Sequence, residues 1–81
     1  MKLQVKLFAA ARQAAGQAAV EVELPASSTI AQLRAALVEQ YPALAEIAAH
    51  VVFAVNAEYA DETAQIPTDA EVACIPPVSG G

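Results

Sequence analysis

The chain ends in Pro-Pro-Val-Ser-Gly-Gly, residues 76–81, a segment whose residue types favour chemistry on the terminal carboxylate itself. The two glycines have no Cβ atoms, so they form a backbone narrow enough to enter a tight channel in a partner protein. The two prolines hold the preceding backbone extended, because each fixes its φ angle and biases the residue before it away from helix. We therefore expect a stiff stalk that carries the Gly81 carboxylate at its tip. The competing interpretation is a disordered end or a cloning scar, since chain ends are often loose and glycine-rich.

The rest of the chain offers little side-chain chemistry. Cys74 is the only cysteine, which excludes an internal disulfide and any CxxC motif, and its apolar neighbours predict a buried, unreactive thiol. His50 is also alone, so neither a Cys–His pair nor a zinc site is expected. The glycines lie only at positions 16, 80 and 81, which leaves no phosphate-binding loop. We expect no metal, no bound cofactor and no catalytic side chain.

Composition and charge limit the classes of partner that the chain is expected to bind. Eighty-one residues make one small domain, and 21 of them are alanines, which bury little area each. The net charge is −5, and all four basic residues lie in the first 34 positions. Such a chain lacks the basic patch that nucleic acid requires, and it has no apolar run long enough to span a bilayer. We expect a cytoplasmic protein that binds neither nucleic acid nor membrane and whose acidic surface suits a basic protein partner.

The apolar pattern predicts an α+β domain over residues 1–75. Strands are expected at residues 2–8, 17–24, 51–55 and 71–75, with a short one around Tyr59. The main helix is expected to begin at a capping box formed by Thr29 and Gln32 and to stop before Pro42. Shorter helical turns are expected at residues 9–15, closed by Gly16, and at residues 44–49. This order places one main helix on one face of a mixed four- to five-stranded sheet, with the first and last strands adjacent in its middle.

The strand alternation also predicts an exposed apolar patch near the tail. If Leu3, Val5 and Leu7 face the helix, then Phe8 points to the open face of the sheet, and Ile75 does so by the same alternation. Tyr59 is expected to join them from the neighbouring hairpin. Because exposed large hydrophobic residues grouped in this way mark protein interfaces, we predict a partner interface formed by Phe8, Tyr59 and Ile75. The alternative is that Phe8 caps the core at the strand end.

Three stretches resemble the sulfur-carrier small subunits of molybdopterin synthase, a family with a ubiquitin-like β-grasp fold. Residues 7–12, running on to Gly16, resemble the first strand and turn of that family, and residues 54–56 resemble the end of its central strand. Residues 71–73 and the tail at 76–81 resemble its closing strand and C-terminus. Asp69-Ala70 stands where the family usually has Gly-Asp. Aspartate tolerates left-handed backbone, so we expect this turn to survive.

The resemblance implies a carrier whose working group is the Gly81 carboxylate. A carboxylate with a pKa near ~3.5 is ionised at neutral pH and is a poor electrophile. In that family a ubiquitin-activating-type adenylyltransferase joins it to AMP from ATP, and a sulfur donor then displaces AMP to leave a thiocarboxylate. The tail, formed by Pro76, Pro77, Val78, Ser79 and Gly80, then threads into the large subunit of a heterotetrameric molybdopterin synthase. There the sulfur passes to a pterin precursor. The implied partners are the large subunit and the adenylyltransferase.

Three other functions stay open at this point. A sulfur carrier for thiamine synthesis shares the fold and the Gly-Gly end, although such carriers tend to be shorter and lack the Pro-Pro-Val-Ser approach. A ubiquitin-like modifier would instead join Gly81 to lysines of target proteins. Ubiquitin has a basic approach to its Gly-Gly end, whereas this tail is neutral. A plain β-grasp interaction module would function unchanged without Gly80 and Gly81.

Overall fold

Five strands form one mixed sheet in the computed structural model, which describes residues 1–76. The strands are β1 (Lys2–Leu7), β2 (Ala19–Glu23), β3 (Val52–Val55), β4 (Glu58–Ala60) and β5 (Val72–Ile75). The helices are α1 (Ala9–Ala15), α2 (Ile30–Gln40) and α3 (Ala45–Ala48), with a 3-10 turn at Pro42–Leu44. The predictions made for Pro77, Val78, Ser79, Gly80 and Gly81 lie outside the described residues.

The two chain-terminal strands lie side by side in the middle of the sheet, as predicted. The strand order is β2-β1-β5-β3-β4. β1 and β5 run parallel, with Leu7 opposite Cys74, and the other neighbouring pairs are antiparallel. This is the mixed five-stranded sheet of the predicted β-grasp fold.

Strand alternation puts one face of the sheet into the core. In β1 the odd positions Leu3, Val5 and Leu7 are buried while the even ones are exposed, and β2 alternates in the same way. The buried stripe of α2 packs against this face through Ile30, Leu33 and Leu37. The core therefore lies entirely on the helical side, and the opposite face of the sheet carries no helix among residues 1–76.

More than one helix is needed to cover the sheet. A helix with its side chains is about 10 Å wide, whereas five strands about 4.8 Å apart span about 19 Å. The remaining area is covered by α1, the 3-10 turn and α3, which bury Ala11, Leu44 and Ala48 respectively. Ala11 and Ala48 thus act as small buried contacts of short helices, which the apolar pattern alone does not show.

Local signals place the turns as predicted. Gly16 ends α1 with φ 71°, and its N–H donates to the Arg12 carbonyl at 2.9 Å. Thr29 and Gln32 form the capping box of α2, with the Gln32 N–H donating to Thr29 Oγ1 at 3.3 Å and the Thr29 N–H donating to Gln32 Oε1 at 2.8 Å. Asp69 adopts φ 62°, so the turn that departs from the family pattern is built on a residue that tolerates this conformation.

Side chains from the end of α2 cover the free edge of β2. The Glu23 N–H donates to Gln40 Oε1 at 3.0 Å, and Gln40 Nε2 donates to the Glu23 carbonyl at 3.0 Å. The Tyr41 hydroxyl donates to the Glu21 carbonyl at 2.7 Å. These bonds occupy backbone groups that an exposed edge strand would offer to another chain.

Replacing Gln40 with Ala is expected to lower the free energy of unfolding by about 1–2 kcal/mol, because two backbone bonds are lost. Urea denaturation followed by circular dichroism measures the change. Glu39→Ala is the matched control, since Glu39 is the exposed neighbour on α2. Equal stability of the two variants would show that Gln40 does not hold the edge of β2.

Candidate functional site

The open face of the sheet carries a row of residues in register across four strands. Lys6 of β1 lies opposite Ala73 of β5, Ala73 opposite Ala54 of β3, and Ala54 opposite Tyr59 of β4. The two alanines in the middle of the row have short side chains, so the surface there lies below the ends of the row. Tyr59 at one end is 76% exposed. The row therefore has the shape of a shallow trough.

A second row lies two residues closer to the tail. Val52 of β3 is paired with Ile75 of β5, and the Phe8 N–H donates to the Cys74 carbonyl at 3.3 Å, which fixes Phe8 beside the end of β5. Phe8 is 47% and Val52 44% exposed, whereas Ile75 is half-buried. We call Phe8, Val52, Tyr59 and Ile75 the outer patch. Phe8, Tyr59 and Ile75 line one concavity, together with Lys6, Ala54, Ala57, Glu71 and Ala73.

Phe8 lies between β1 and α1, where the chain changes direction, and is not part of β1. β1 stops at Leu7, and Phe8 has extended backbone (φ −122°, ψ 152°) as the N-cap of α1. The predicted strand of residues 2–8 is therefore one residue too long. The cause is Ala9, whose φ of 49° turns the chain into α1 and ends the pairing with β5. Phe8 does not belong to the core, so the alternative that it caps the core is wrong.

An ion pair borders the concavity. Lys6 Nζ contacts Glu71 Oε1, and both side chains are more than half exposed. The hydrogen bond from Lys6, followed by its positive charge, lowers the pKa of Glu71 below its usual value. Because the two charges offset each other, this edge of the concavity is polar but carries no net charge. At such exposure the pair adds little to stability.

Cys74 lies on the opposite, core-facing side of β5. Its side chain is 1% exposed, and it is paired with Leu7 of β1 and Phe53 of β3. Burial raises the pKa of the Cys74 thiol to about 11, while the charge of Arg34 acts weakly in the opposite direction. The thiol is therefore protonated at neutral pH and shielded, as the sequence predicted.

Cys74 is expected to resist alkylation in the folded chain at every pH below about 10, because the neutral, buried thiol supplies almost no thiolate. Iodoacetamide labelling followed by mass spectrometry should be slow in buffer and fast in urea. Raising the pH through the interval from 9 to about 11 should lower the free energy of unfolding, since the unfolded chain ionises first. Cys74→Ala should lack this pH-dependent contribution.

The structure brings the three predicted interface residues to one concavity, and their function as an interface stays a prediction. Pro76, the first residue of the predicted tail, is half-buried directly after β5. Val52 and the Lys6–Glu71 pair were not predicted. Residues 51–55 are apolar throughout, so the sequence shows no alternation that would assign Val52 to the open face. A salt bridge between residues 65 positions apart leaves no local signal.

Comparison with known proteins shows which family the chain belongs to. A sequence profile described as the ThiS family matches residues 5–81. The chain belongs to the ThiS family. It is 37% identical to the molybdopterin synthase sulfur carrier subunit of Arabidopsis thaliana, over all of this chain and 84% of that protein. It is 38% identical to the protein of the same name from Chlamydomonas reinhardtii, with both chains covered completely.

Solved structures resemble this ThiS-family chain over nearly its full length. SAMP1 from Haloferax volcanii superimposes with a TM-score of 0.85 at 30% identity, with both chains covered completely. A putative molybdopterin converting factor subunit 1 from Pyrococcus furiosus gives a TM-score of 0.82 at 29% identity, over 96% of this chain and 99% of that one. The β-grasp fold is thus shared with both of these solved structures. No helix within residues 1–76 has the length and apolarity to cross a membrane.

Proposed function

We propose that this ThiS-family chain is the sulfur carrier of a molybdopterin synthase and that the Gly81 carboxylate carries the sulfur. The observation that carries the proposal is the position of the outer patch. Ile75 lies on β5, which continues into Pro76 and the Gly-Gly segment, and Phe8 lies beside the end of β5. A partner that covers this face therefore lies against Ile75 and beside Pro76, where the predicted tail begins. Full-length similarity to molybdopterin synthase sulfur carrier subunits supports the same function.

The proposed cycle needs no side chain of the carrier. A carboxylate oxygen of Gly81 attacks the α-phosphorus of ATP and releases pyrophosphate, which leaves an acyl adenylate. A donor that delivers sulfur at the oxidation level of sulfide then attacks the acyl carbon. The new C–S bond replaces the C–O bond to AMP, AMP leaves, and loss of the proton on sulfur gives a thiocarboxylate. Cys74 cannot serve as that nucleophile, because its thiol is buried and faces the core. The thiocarboxylate sulfur then displaces an oxygen substituent from a carbon of a pterin precursor and forms a thioester. Water cleaves this thioester, which leaves the sulfur on the pterin and returns the carboxylate.

Two partners follow from this cycle. The ATP site belongs to an adenylyltransferase of the ubiquitin-activating type, and the pterin site to the large subunit of the synthase. A phosphorylated pterin precursor needs a basic pocket, and a chain with four basic residues and a charge of −5 is poorly suited to form one. Because the cycle consumes ATP, we place the carrier in the cytoplasm.

The intact mass of the chain purified from its native cells tests this function. A carrier is expected to contain a fraction in which one oxygen of the C-terminal carboxylate is replaced by sulfur, located to Gly81 by fragmentation. The matched control is a chain lacking Gly81, expressed and purified in the same way. Absence of the sulfur-containing form from cells that are actively making the molybdenum cofactor would contradict the proposal.

A second candidate function is protein modification, because the chain is also similar to SAMP1, a small archaeal modifier protein. Its test requires a suitable protease. The chain has no Lys or Arg after Arg34, so trypsin would leave residues 35–81 on a modified lysine. Cleavage after glutamate instead leaves residues 72–81, since Glu71 is the last glutamate. Lysines carrying this decapeptide in cell extracts would support modification. Their absence would favour the carrier function alone.

A further inference from the structure

The turn between β3 and β4 is held in an uncommon conformation. Val55 is paired with Glu58, which leaves Asn56 and Ala57 as the two turn residues. Both have positive φ angles, 50° at Asn56 and 69° at Ala57, the arrangement that joins two strands with matching twist. Asparagine tolerates this conformation, whereas alanine does not favour it. Contacts beyond the turn itself must therefore help to hold it.

Asn56 makes those contacts with Glu71. The Asn56 N–H donates to the Glu71 carbonyl at 2.8 Å, and the Glu71 N–H donates to Asn56 Oδ1 at 3.0 Å. The last regular pair between β3 and β5 joins Val55 to Val72. The Asn56 side chain thus adds one more hydrogen bond between the end of β3 and the start of β5. Its amide oxygen accepts this bond in place of a backbone carbonyl.

Glu71 extends this connection to a third strand. Its backbone is bonded to the β3–β4 turn, and its carboxylate is paired with Lys6 of β1. Lys6, Ala57 and Glu71 all border the concavity of the outer patch, on the side away from the tail. The two Asn56–Glu71 bonds therefore hold the β3–β4 hairpin to the start of β5 at the centre of the sheet, and the exposed Lys6–Glu71 pair lies beside them.

We propose that Asn56 is a positioning residue for the outer patch, acting through Tyr59. Tyr59 has few contacts of its own, since it is 76% exposed on a three-residue edge strand. Its place opposite Ala54 depends on the register of the hairpin. A slip of one residue would move the ring to the other face of the sheet. The Asn56–Glu71 bonds oppose such a slip and keep Tyr59 available to the docked protein. This inference rests on the proposed function of the outer patch in docking.

A double-mutant cycle with the full chain and the large subunit of molybdopterin synthase tests the inference. Asn56→Gly keeps the left-handed turn and removes only the side-chain bond to Glu71. We expect it to raise the Kd for the large subunit about fivefold, the equivalent of one hydrogen bond. In a Tyr59→Ala background the same substitution should cause no further change, because the ring it positions is absent. Ser27→Gly is the matched control: it also places glycine at an exposed residue with a positive φ of 64°, but Ser27 does not line the concavity, so the Kd should be unchanged.

Nuclear Overhauser effects in the free chain provide a readout that does not depend on the partner. Contacts between the Tyr59 ring and the methyl groups of Ala54 and Ala73 should be present in the wild type and in Ser27→Gly and reduced in Asn56→Gly. The inference would be wrong if Asn56→Gly weakened binding equally in the wild-type chain and in Tyr59→Ala. It would also be wrong if the ring contacts were unchanged in Asn56→Gly. A wild-type chain that does not bind the large subunit would instead contradict the proposed function, and the ring contacts would still decide whether Asn56 positions Tyr59.

Discussion

A chain extended by one residue beyond Gly81 is expected to lose adenylation and thiocarboxylate formation almost completely. One added residue moves the carboxylate by about 3.5 Å, which takes it out of attacking distance of the ATP α-phosphorus. Removal of Gly81 withdraws the carboxylate by a similar amount and should have the same effect. The assay mixes each variant with the adenylyltransferase, ATP and a sulfur source, and measures pyrophosphate release and the mass of the C-terminus.

Substitutions that keep the length of the tail provide the controls for this experiment. Gly81→Ala and Gly80→Ala leave the carboxylate at the same distance along the chain and add one Cβ atom where we expect the channel of the adenylyltransferase to be narrow. They should reduce charging less than extension or deletion does. All four variants should unfold like the wild type in urea, because residues 1–76 contain the core. If the extended chain were charged as fast as the wild type, the carrier function would be wrong.

The parts of the fold that the sequence predicts correctly are those with a local physical cause. Alternation in β1 and β2 follows directly from burial of one sheet face, and the buried residues of β1 are the predicted ones. Gly16 and the Thr29–Gln32 capping box end and begin helices through bonds within four residues. The central position of β1 and β5 could also be predicted, because these strands are the most regularly patterned.

The parts that could not be predicted depend on contacts between distant residues. Val52 is exposed because β3 is paired with β5 in a particular register, and an all-apolar strand carries no trace of that register. The Lys6–Glu71 pair and the Asn56–Glu71 bonds likewise join segments that only the folded topology brings together. For the candidate site, the sequence therefore predicts which large residues gather near the tail but not the polar contacts that hold them in place.

Among residues of the outer patch, Ile75→Asp is expected to weaken binding of the large subunit most, by about 30- to 1,000-fold. Ile75 lies at the centre of the patch, between Phe8 and Val52, and is the last residue of β5 before Pro76. A docked partner would desolvate the new carboxylate without offering it a counter-charge, and losses of about 2–4 kcal/mol are typical of such central positions. Isothermal titration with the purified large subunit measures the Kd.

Two further variants separate docking from folding. Ile75 is half-buried, so Tyr59→Asp places the same charge at the most exposed large hydrophobic residue of the patch, where it cannot disturb the core. It should also weaken binding, although less than Ile75→Asp, because it lies farther from the tail. Ala35→Asp puts a carboxylate on the exposed surface of α2, on the helical side of the sheet, and should leave the Kd unchanged. Wild-type affinity in a folded Tyr59→Asp and a folded Ile75→Asp would mean that the partner docks elsewhere. Equal loss in Ala35→Asp would mean that net charge, rather than the outer patch, governs binding.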